Sequence, residues 1–310
     1  MSAPALMLFQ SKGHVMNKKK IKEKVIEYFF LLNGLIIVLA LIAIFMLLFR
    51  NALPAFKEIP LTEFLFSANW NPASYYKAAY GILAMVVSTF VVTIGALIIA
   101  IPLGVGAAAY LSDVASPRVR EIAKPVVEIL AGIPSVVIGF LGIVLVGPMI
   151  AKVTGQYNGL NAINGSILLA IMALPTIISL SEDAISSVPK AFEQASLALG
   201  ASRWQTLIFV RLPAASSGIL AACMLGMGRA IGETMTVLMA TGNAPAMPRG
   251  ITDAIRTMTA TIAIELGEVA YHTTHYYALF AIGLVLFIIT FIINMIADVV
   301  LENYKKKTAY

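Results

Sequence analysis

The sequence is poor in charged residues and has a single cysteine. Asp, Glu, Lys and Arg make up 12% of its 310 residues, whereas hydrophobic residues make up 59%. Because about a quarter of the residues in a soluble domain are charged, this composition predicts a polytopic membrane protein. With Cys223 as its only cysteine, the chain can form neither an intramolecular disulfide nor a cysteine-based metal site. We expect this thiol, which lies in an apolar segment, to be buried and unreactive.

The sequence also lacks the motifs of an ATPase or a metal site. It contains no G-x-x-x-x-G-K-[ST] loop, the motif that cradles nucleotide phosphates. We therefore expect that the chain does not hydrolyse ATP. The histidines, His14, His272 and His275, do not form a spaced set of ligands on one apolar run, so no bound metal is expected.

Six apolar runs are long enough to cross a bilayer, which takes about 20 helical residues. These runs cover residues 28–49, 78–112, 129–150, 163–181, 214–240 and 276–297. The predicted fold is therefore all-α, a polytopic membrane protein with six transmembrane helices. Its predicted parts are a basic tail over residues 1–27, a first helix over 28–50, an external loop over 51–77, a five-helix core over 78–300 and a second tail over 301–310.

Lysine and arginine are unevenly distributed among the segments between these runs. If both termini are cytoplasmic, most of these residues lie in the two tails and in the cytoplasmic loops over 113–125 and 182–213. This is the distribution that the positive-inside rule describes. The net charge of +6 therefore indicates an orientation in the membrane and not nucleic-acid binding.

The end of the second cytoplasmic loop, residues 186–213, reads SSVPKAFEQASLALGASRWQTLIFVRLP. Ser187 is a suitable N-cap for a helix whose first turn includes Pro189 and which runs to Leu199. Gly200 follows, at the position where a left-handed residue commonly ends a helix. The pattern predicts a short helix that ends in a bend.

A second helix is predicted directly after the bend. Ser202 and Gln205 form the S-x-x-Q pattern of a capping box, which marks the first turn of a helix. Pro213 is expected to end this helix just before the fifth apolar run, because proline has no backbone N–H to donate. Two short helices joined at Gly200 would form a bent arm on the cytoplasmic face, here called the coupling arm (residues 186–213).

Two charged residues interrupt the fifth apolar run, in the stretch GMGRAIGETMTV. Arg229 and Glu233 would lie one turn apart on one helix face, and each costs about 3 kcal/mol at the centre of a bilayer. Arginine before glutamate is the weaker order for a pair within a helix, so their burial needs a tertiary reason. The residues leave two interpretations open: a salt bridge that fixes helix packing, or an Arg229 that lines the path of an anion with Glu233 as its partner.

The last external loop has a helical pattern of its own. Residues 250–270 place Ile251, Ile255, Met258 and Ile262 at helical spacing beside polar residues. Such a pattern predicts a surface helix or a helix that faces a partner.

The coupling arm resembles a known family. It resembles the E-A-A, x3, G, x9, I-x-L-P signature of ABC importer permeases at Glu193, Ala195, Gly200, Leu212 and Pro213. Gln194 replaces the first alanine, Val210 replaces the isoleucine, and four residues instead of three precede Gly200. The resemblance implies a type I ABC importer permease whose arm docks into a cleft of an ATPase subunit. ATP and Mg would be used by that ATPase, and this chain would bind no cofactor.

A second resemblance points to the substrate. The stretches GRAIGETMTVLMATGN and AGIPSVVIGFLG resemble the phosphate-specific ABC importer permeases, in particular the PstC type. This implies that Arg229 and Glu233 are the charged positions associated with phosphate passage. Thr234, Thr236 and Ser135 are candidate hydroxyl donors, although a Ser or Thr in a membrane helix more often bonds its own backbone.

The resemblance also implies partners and a location. The partners would be a second, related permease subunit of PstA type, two ATPase subunits of PstB type and an external phosphate-binding protein of PstS type. The external protein would contact residues 51–77 and 241–275, and the location would be a bacterial or archaeal cytoplasmic (inner) membrane. The alternatives are an importer of another oxyanion, such as molybdate or sulfate, and a secondary transporter or channel, which would need its own coupling-ion site or repeated halves.

Overall fold

The computed structural model describes the backbone of residues 3–74 and 76–308, and the side chains of residues 22–74 and 76–302. Most side chains of the two predicted tails therefore lie outside the described residues. The chain divides into two units, Met1–Asn51 and Ala52–Tyr310.

The first unit consists of one helix, α1 (Ala3–Ala52). Nearly all of its described side chains are exposed, and they are apolar on every face of the helix between Tyr28 and Phe49. Such a surface suits a helix surrounded by lipid. The predicted first transmembrane helix over residues 28–50 is therefore part of α1.

The second unit contains all the other elements. The segment before the core holds α2 (Ala55–Glu58), α3 (Leu61–Phe66) and a small antiparallel hairpin of β1 (Trp70–Asn71) and β2 (Ala79–Tyr80), in which Trp70 pairs with Tyr80. The core helices are α4 (Leu83–Ala109), α5 (Pro117–Ala131), α6 (Ser135–Leu141), α7 (Gly147–Thr154), α8 (Ala162–Ser186), α9 (Lys190–Ala198), α10 (Arg203–Thr206), α11 (Leu212–Gly232), α12 (Met235–Ala240), α13 (Met258–Glu265) and α14 (Thr274–Thr308). Three π-helical turns, Tyr110–Val114, Gly142–Val146 and Leu207–Arg211, join successive helices.

Six stretches of the described chain are helical, long and apolar enough to cross a bilayer. They are Lys22–Glu58, Leu83–Val114, Ser135–Thr154, Ala162–Ser186, Arg203–Gly232 and Thr274–Glu302. The predictions of an all-α fold and of six transmembrane helices are confirmed.

Small residues allow α4 and α8 to pack closely. Ala96, Ala100, Gly104 and Ala108 recur at every fourth position of α4, and all four are buried. A Cβ on Gly104 would lie 2.7 Å from Cγ2 of Ile177 on α8. Between helices surrounded by lipid, where the hydrophobic effect contributes little, close packing of this kind stabilises the contact. α8 also packs against α11. It therefore lies between α4 and α11 and contacts both.

The third predicted span begins later than the sequence indicated. α5 ends at Ala131, and Pro134 with an extended ψ of 137° precedes the first residue of α6, Ser135. Proline has no N–H for the preceding turn, so a break here is physically expected. The prediction of a span over residues 129–150 placed its start in the last turn of α5, before this break.

The fifth predicted span is broken as well. α11 ends at Gly232, Glu233 has extended backbone angles (φ −68°, ψ 134°), and α12 begins at Met235. The prediction of one continuous helix over residues 214–240 is therefore wrong.

The last external loop is helical only over Met258–Glu265. Ile255 is buried in the segment before this helix and pairs with Gly242 in an isolated β-bridge, while Ile251 is exposed. The predicted helix is present for Met258 and Ile262, which lie in α13. The prediction of one helix that also includes Ile251 and Ile255 is wrong, because both residues precede α13.

Candidate translocation site and coupling arm

The half-helices that follow the two breaks, α6 and α12, pack against each other. Gly139 on α6 permits this approach, because a Cβ there would lie 2.9 Å from Sδ of Met239 and 3.3 Å from the backbone oxygen of Met235. The two stretches that resemble the phosphate-specific permeases are thus brought together in space, with a helix break in each.

Thr236 connects the two half-helices through its side chain. Its hydroxyl lies 3.1 Å from the backbone oxygen of Ser135, 3.3 Å from Oε1 of Glu233 and 3.0 Å from Sδ of Met172. Thr236 is fully buried. The hydroxyl of Thr236 is therefore occupied by contacts inside the described chain, and it connects the two breaks. Ser135 takes part through its carbonyl oxygen.

Glu233 occupies the break itself. Its Oε1 accepts a hydrogen bond of 3.3 Å from the backbone N–H of Thr236, and its carbonyl oxygen accepts one of 2.8 Å from Oγ1 of Thr259 on α13. The hydroxyl of Thr234 donates to the carbonyl oxygen of Gly232 at 3.4 Å, which is the local backbone bond that the sequence led us to expect. Glu233 is therefore held by α12 and α13.

Arg229 lies in the last turn of α11, one turn before the break, and its side chain is exposed. Within the described residues, it forms no hydrogen bond and no ion pair. A positive charge at the C-terminal end of a helix interacts favourably with the helix dipole. The guanidinium is therefore tolerated there, but no carboxylate of the described chain neutralises it.

The expected ion pair between Arg229 and Glu233 is not formed among the described residues. The expectation required both residues on one continuous helix, and Glu233 instead lies beyond the end of α11. The sequence signals for this break were Gly232 and the nearby threonines, which have low helix propensity. They were outweighed by the apolar character of the run.

The bend of the coupling arm has the predicted geometry. Gly200 adopts a positive φ of 87°, and a Cβ added there would meet no atom within 4 Å. The capping box is also confirmed, since the Gln205 N–H donates to Oγ of Ser202 at 3.2 Å and the Ser202 N–H donates to Oε1 of Gln205 at 2.8 Å. Glycine is needed here for its backbone conformation and not for space.

The start of the arm differs from the prediction. Ser187 does not cap α9; it follows the end of α8 and donates its hydroxyl to the carbonyl oxygen of Ala184 at 2.7 Å. Pro189 lies just before α9, which begins at Lys190. The predicted cap was wrong because α8 extends further than the apolar run that defined it.

The end of the arm differs too. α10 continues through the π-helical turn Leu207–Arg211 directly into α11, so Pro213 does not end a helix. Pro213 lies in the first turn of α11, where a missing N–H costs little. The part of the coupling arm after its bend and the fifth transmembrane helix are therefore one continuous helical rod from Arg203 to Gly232.

The arm exposes large apolar side chains on both sides of its bend. Phe192, Leu199 and Trp204 have exposed fractions of 52%, 90% and 64%. An exposed apolar patch surrounded by polar residues commonly marks a surface that binds another protein. Glu193 and Leu212 are partly buried on the arm, while Gln194, Ala195 and Pro213 are exposed.

A cluster of charged residues joins α5 to the end of α8. Glu182 is 2% exposed and accepts hydrogen bonds from Arg120 and, at 2.8 Å, from Nζ of Lys124. The Lys124 ammonium also lies 3.4 Å from the Asp183 carboxylate. The hydrogen bond that Lys124 donates to Glu182 raises the pKa of Lys124 above its ordinary value. The cluster is neutralised within the chain, so it fixes α5 on α8.

A second cluster, which sequence reasoning missed, surrounds Glu265 at the end of α13. Its carboxylate accepts hydrogen bonds from Nε1 of Trp70 at 3.0 Å and from Arg256 at 2.8 Å, and it lies 2.8 Å from Nε2 of His275. These partners belong to three separate segments of the chain, so no local pattern indicated the contact. Glu265 ties the segment before α4 to the last external loop and to α14.

Solved transporters share this architecture. The chain aligns with a subunit of a bacterial alginate ABC transporter, solved with an alginate pentasaccharide-bound periplasmic protein, at a TM-score of 0.62 and 18% identity, over 90% of this chain and 94% of the other. It aligns with the MetNI methionine ABC transporter in an inward-facing conformation at a TM-score of 0.54 and 20% identity, over 72% and 94% of the two chains. The fold is that of a type I ABC importer permease, as predicted.

Curated proteins resemble the chain over most of its length. It is 38% identical to the "Probable ABC transporter permease protein YqgH" of Bacillus subtilis over 84% of each chain. It is 34% identical to the "Phosphate transport system permease protein PstC 1" of Mycobacterium tuberculosis, over 86% of this chain and 90% of the relative. It is 32% identical to PstC of Mesorhizobium japonicum, over 79% and 80%. The model of one protein family matches residues 100–309. The chain therefore belongs to the family of binding-protein-dependent transport system inner membrane components and is a permease subunit of an ABC importer.

Proposed function

We propose that this permease subunit is of the PstC type, imports phosphate and forms half of the translocation path. The observation that carries the proposal is Arg229, an exposed guanidinium without a partner in the described chain, next to two broken helices that lie side by side. The relatives named as phosphate transport permeases support the choice of substrate.

The chemistry of the guanidinium suits this role. Arginine presents planar N–H donors that match the oxygens of a phosphate, and it keeps its charge at any physiological pH. A charged group in a membrane helix is costly, so it is retained where it meets a ligand or a partner. Arg229 would contact phosphate directly. Glu233, held by Thr236 across the break, would limit the time that the anion stays bound through charge repulsion.

The coupling arm would transmit the energy of ATP hydrolysis. Its exposed apolar residues and the signature residues Glu193, Gln194, Ala195 and Gly200 would dock on an ATPase of PstB type, which uses ATP and Mg. The continuous helical rod from Arg203 to Gly232 supports this proposal, because a movement of the arm would displace Arg229 directly.

A second permease subunit of PstA type would complete the path opposite Arg229. Two ATPase subunits and an external phosphate-binding protein of PstS type would complete the importer. Both termini would lie in the cytoplasm of a bacterium or archaeon. The external protein would contact the segments around Glu265, which are held together as one rigid surface.

The alternative substrates are other tetrahedral oxyanions, molybdate and sulfate, because a guanidinium binds all of them by the same hydrogen bonds. The deciding experiment is uptake of labelled phosphate, molybdate and sulfate by vesicles that contain the assembled importer. We expect phosphate uptake only with the binding protein outside and ATP on the ATPase side. Uptake of another oxyanion in preference to phosphate would reject the substrate, and uptake without any ATPase would reject ATP-driven transport.

A further inference from the structure

Arg211 joins the coupling arm to the core. Its side chain is 12% exposed and forms an ion pair with Asp113, which is 14% exposed. Its Nη2 donates a hydrogen bond of 3.0 Å to the carbonyl oxygen of Ile185. Its Nη1 also lies 3.9 Å from Oε2 of Glu193. One guanidinium therefore contacts three segments that are distant in the sequence.

Each of these segments is the end of a structural element. Asp113 lies in the π-helical turn that ends α4, and Ile185 lies in the last turn of α8. Glu193 lies in the first turn of α9, the first helix of the arm. Arg211 itself lies in the π-helical turn that connects α10 to α11. The contacts thus connect the cytoplasmic ends of α4 and α8 to both helices of the arm.

Apolar packing holds only part of the arm in place. Val188 and Leu207 of the arm share one buried cluster with Ala108 and Ala109 at the end of α4. No residue of α9 is buried, so apolar packing contributes little to the position of α9. The Ser196 and Thr206 hydroxyls, 2.9 Å apart, link α9 to α10 but do not reach the core. Within the described residues, Oδ2 of Asp113 has no hydrogen-bond partner. The Asp113 carboxylate therefore depends on Arg211 for its neutralisation.

We propose that Arg211 is a positioning residue that transmits displacement of the coupling arm to α4 as well as to α11. α11 receives such a displacement through the continuous helix, whereas α4 has no covalent connection to the arm nearby. The Arg211 to Asp113 ion pair supplies a polar connection, in addition to the apolar cluster that Leu207 shares with the end of α4, and α4 packs along the central helix α8. This inference rests on the proposed function, because it requires an ATPase that moves the arm.

The test uses the complete importer in vesicles with its binding protein, and measures phosphate taken up per ATP hydrolysed. The variants are Arg211→Met, Asp113→Asn and the double variant. Arg211→Met is expected to assemble, to retain ATP hydrolysis and to lower the uptake per ATP about fivefold or more. Asp113→Asn, which preserves side-chain size, is expected to act in the same direction. If both residues act through one contact, the double variant has the same ratio as Arg211→Met.

Arg118→Met is the matched control. Arg118 is also on the cytoplasmic side but makes no ion pair with a described residue, so its removal should leave the ratio unchanged. If Arg211→Met does not assemble, the double variant, which leaves no unpaired Asp113, provides the same measurement. An unchanged ratio in the assembled variants, or losses that multiply in the double variant, would overturn the proposal. A wild-type importer that takes up no phosphate would instead reject the proposed function.

Discussion

Charged residues have opposite surroundings at the end of the core next to the coupling arm and in the broken fifth helix. Next to the arm, Glu182 and Arg211 are both largely buried and both have partners within the chain. In the broken helix, Arg229 is exposed and has no partner among the described residues. Charges that are paired within one chain stabilise that chain. A charge that is left unpaired in a membrane-spanning helix is costly, and this cost is the reason for the proposal that Arg229 meets a ligand.

The strongest test of this contrast is Arg229→Gln. Because the Arg229 side chain makes no hydrogen bond and no ion pair with a described residue, we expect the melting temperature of the assembled importer to stay unchanged. Phosphate transport should fall by about 10- to 100-fold, the loss expected for hydrogen bonds to a charged group. Arg229→Lys, the control, keeps the charge but not the planar donors and should lose less. Wild-type transport in Arg229→Gln would make the residue structural.

The opposite result is expected for Glu182→Gln. This change removes the charge that neutralises Arg120 and Lys124, so the free energy of unfolding should fall. Both partners are 41% exposed and can recover hydration, so we expect a loss of about 2 kcal/mol and not the larger cost of a fully buried pair. Thermal unfolding of the purified importer measures it. The matched control is Asp183→Asn, at a side chain 65% exposed, where a loss as large as that of Glu182→Gln would contradict the argument.

Variants of Gly200, at the bend of the arm, test coupling through the backbone conformation. Gly200→Val places a β-branched residue at a φ of 87°, which costs about 1–2 kcal/mol. No atom lies near the new Cβ, so any effect comes from the backbone. We expect reduced stimulation of ATP hydrolysis by the binding protein. Gly200→Asn, which tolerates a left-handed conformation, should retain more of it, and equal losses in both variants would point to a steric role instead.

The smallest effect is expected at the contact between the two breaks. Thr236→Val keeps the shape of the side chain but removes the hydroxyl near Ser135 and Glu233. We expect a loss of stability of about 1 kcal/mol, measured by thermal unfolding, and a lower transport rate because Glu233 is held less firmly. Thr236→Ser keeps the hydroxyl and should preserve transport. A serine variant as impaired as the valine variant would show that packing, and not the hydrogen bond, matters.

Local patterns predicted the local features correctly. The capping box of Ser202 and Gln205 and the left-handed Gly200 depend only on neighbouring residues, and both are present. The presence of six apolar helices was also predictable, because the length of an apolar run is compared directly with the thickness of a bilayer. The burial of Cys223, which was predicted because the residue lies in an apolar segment, is confirmed.

Predictions that depended on where helices end were less successful. The helix break at Glu233 and the continuation of a helix through Pro213 were both missed. The apolar character of a run predicts one helix whether or not the helix is broken. A π-helical turn has no clear sequence signature. The Glu265 cluster was missed because its partners come from three distant segments.

By itself, the sequence determined that this chain is a membrane protein of six apolar helices with a bent arm before the fifth of them. These properties follow from composition and from interactions between residues close in the chain. Only the tertiary structure decided which charges are neutralised. Arg211 forms an ion pair with Asp113, whereas Arg229 forms none with Glu233. Long-range packing sets where the helices end, and the helix ends determine which side chains come close enough to pair.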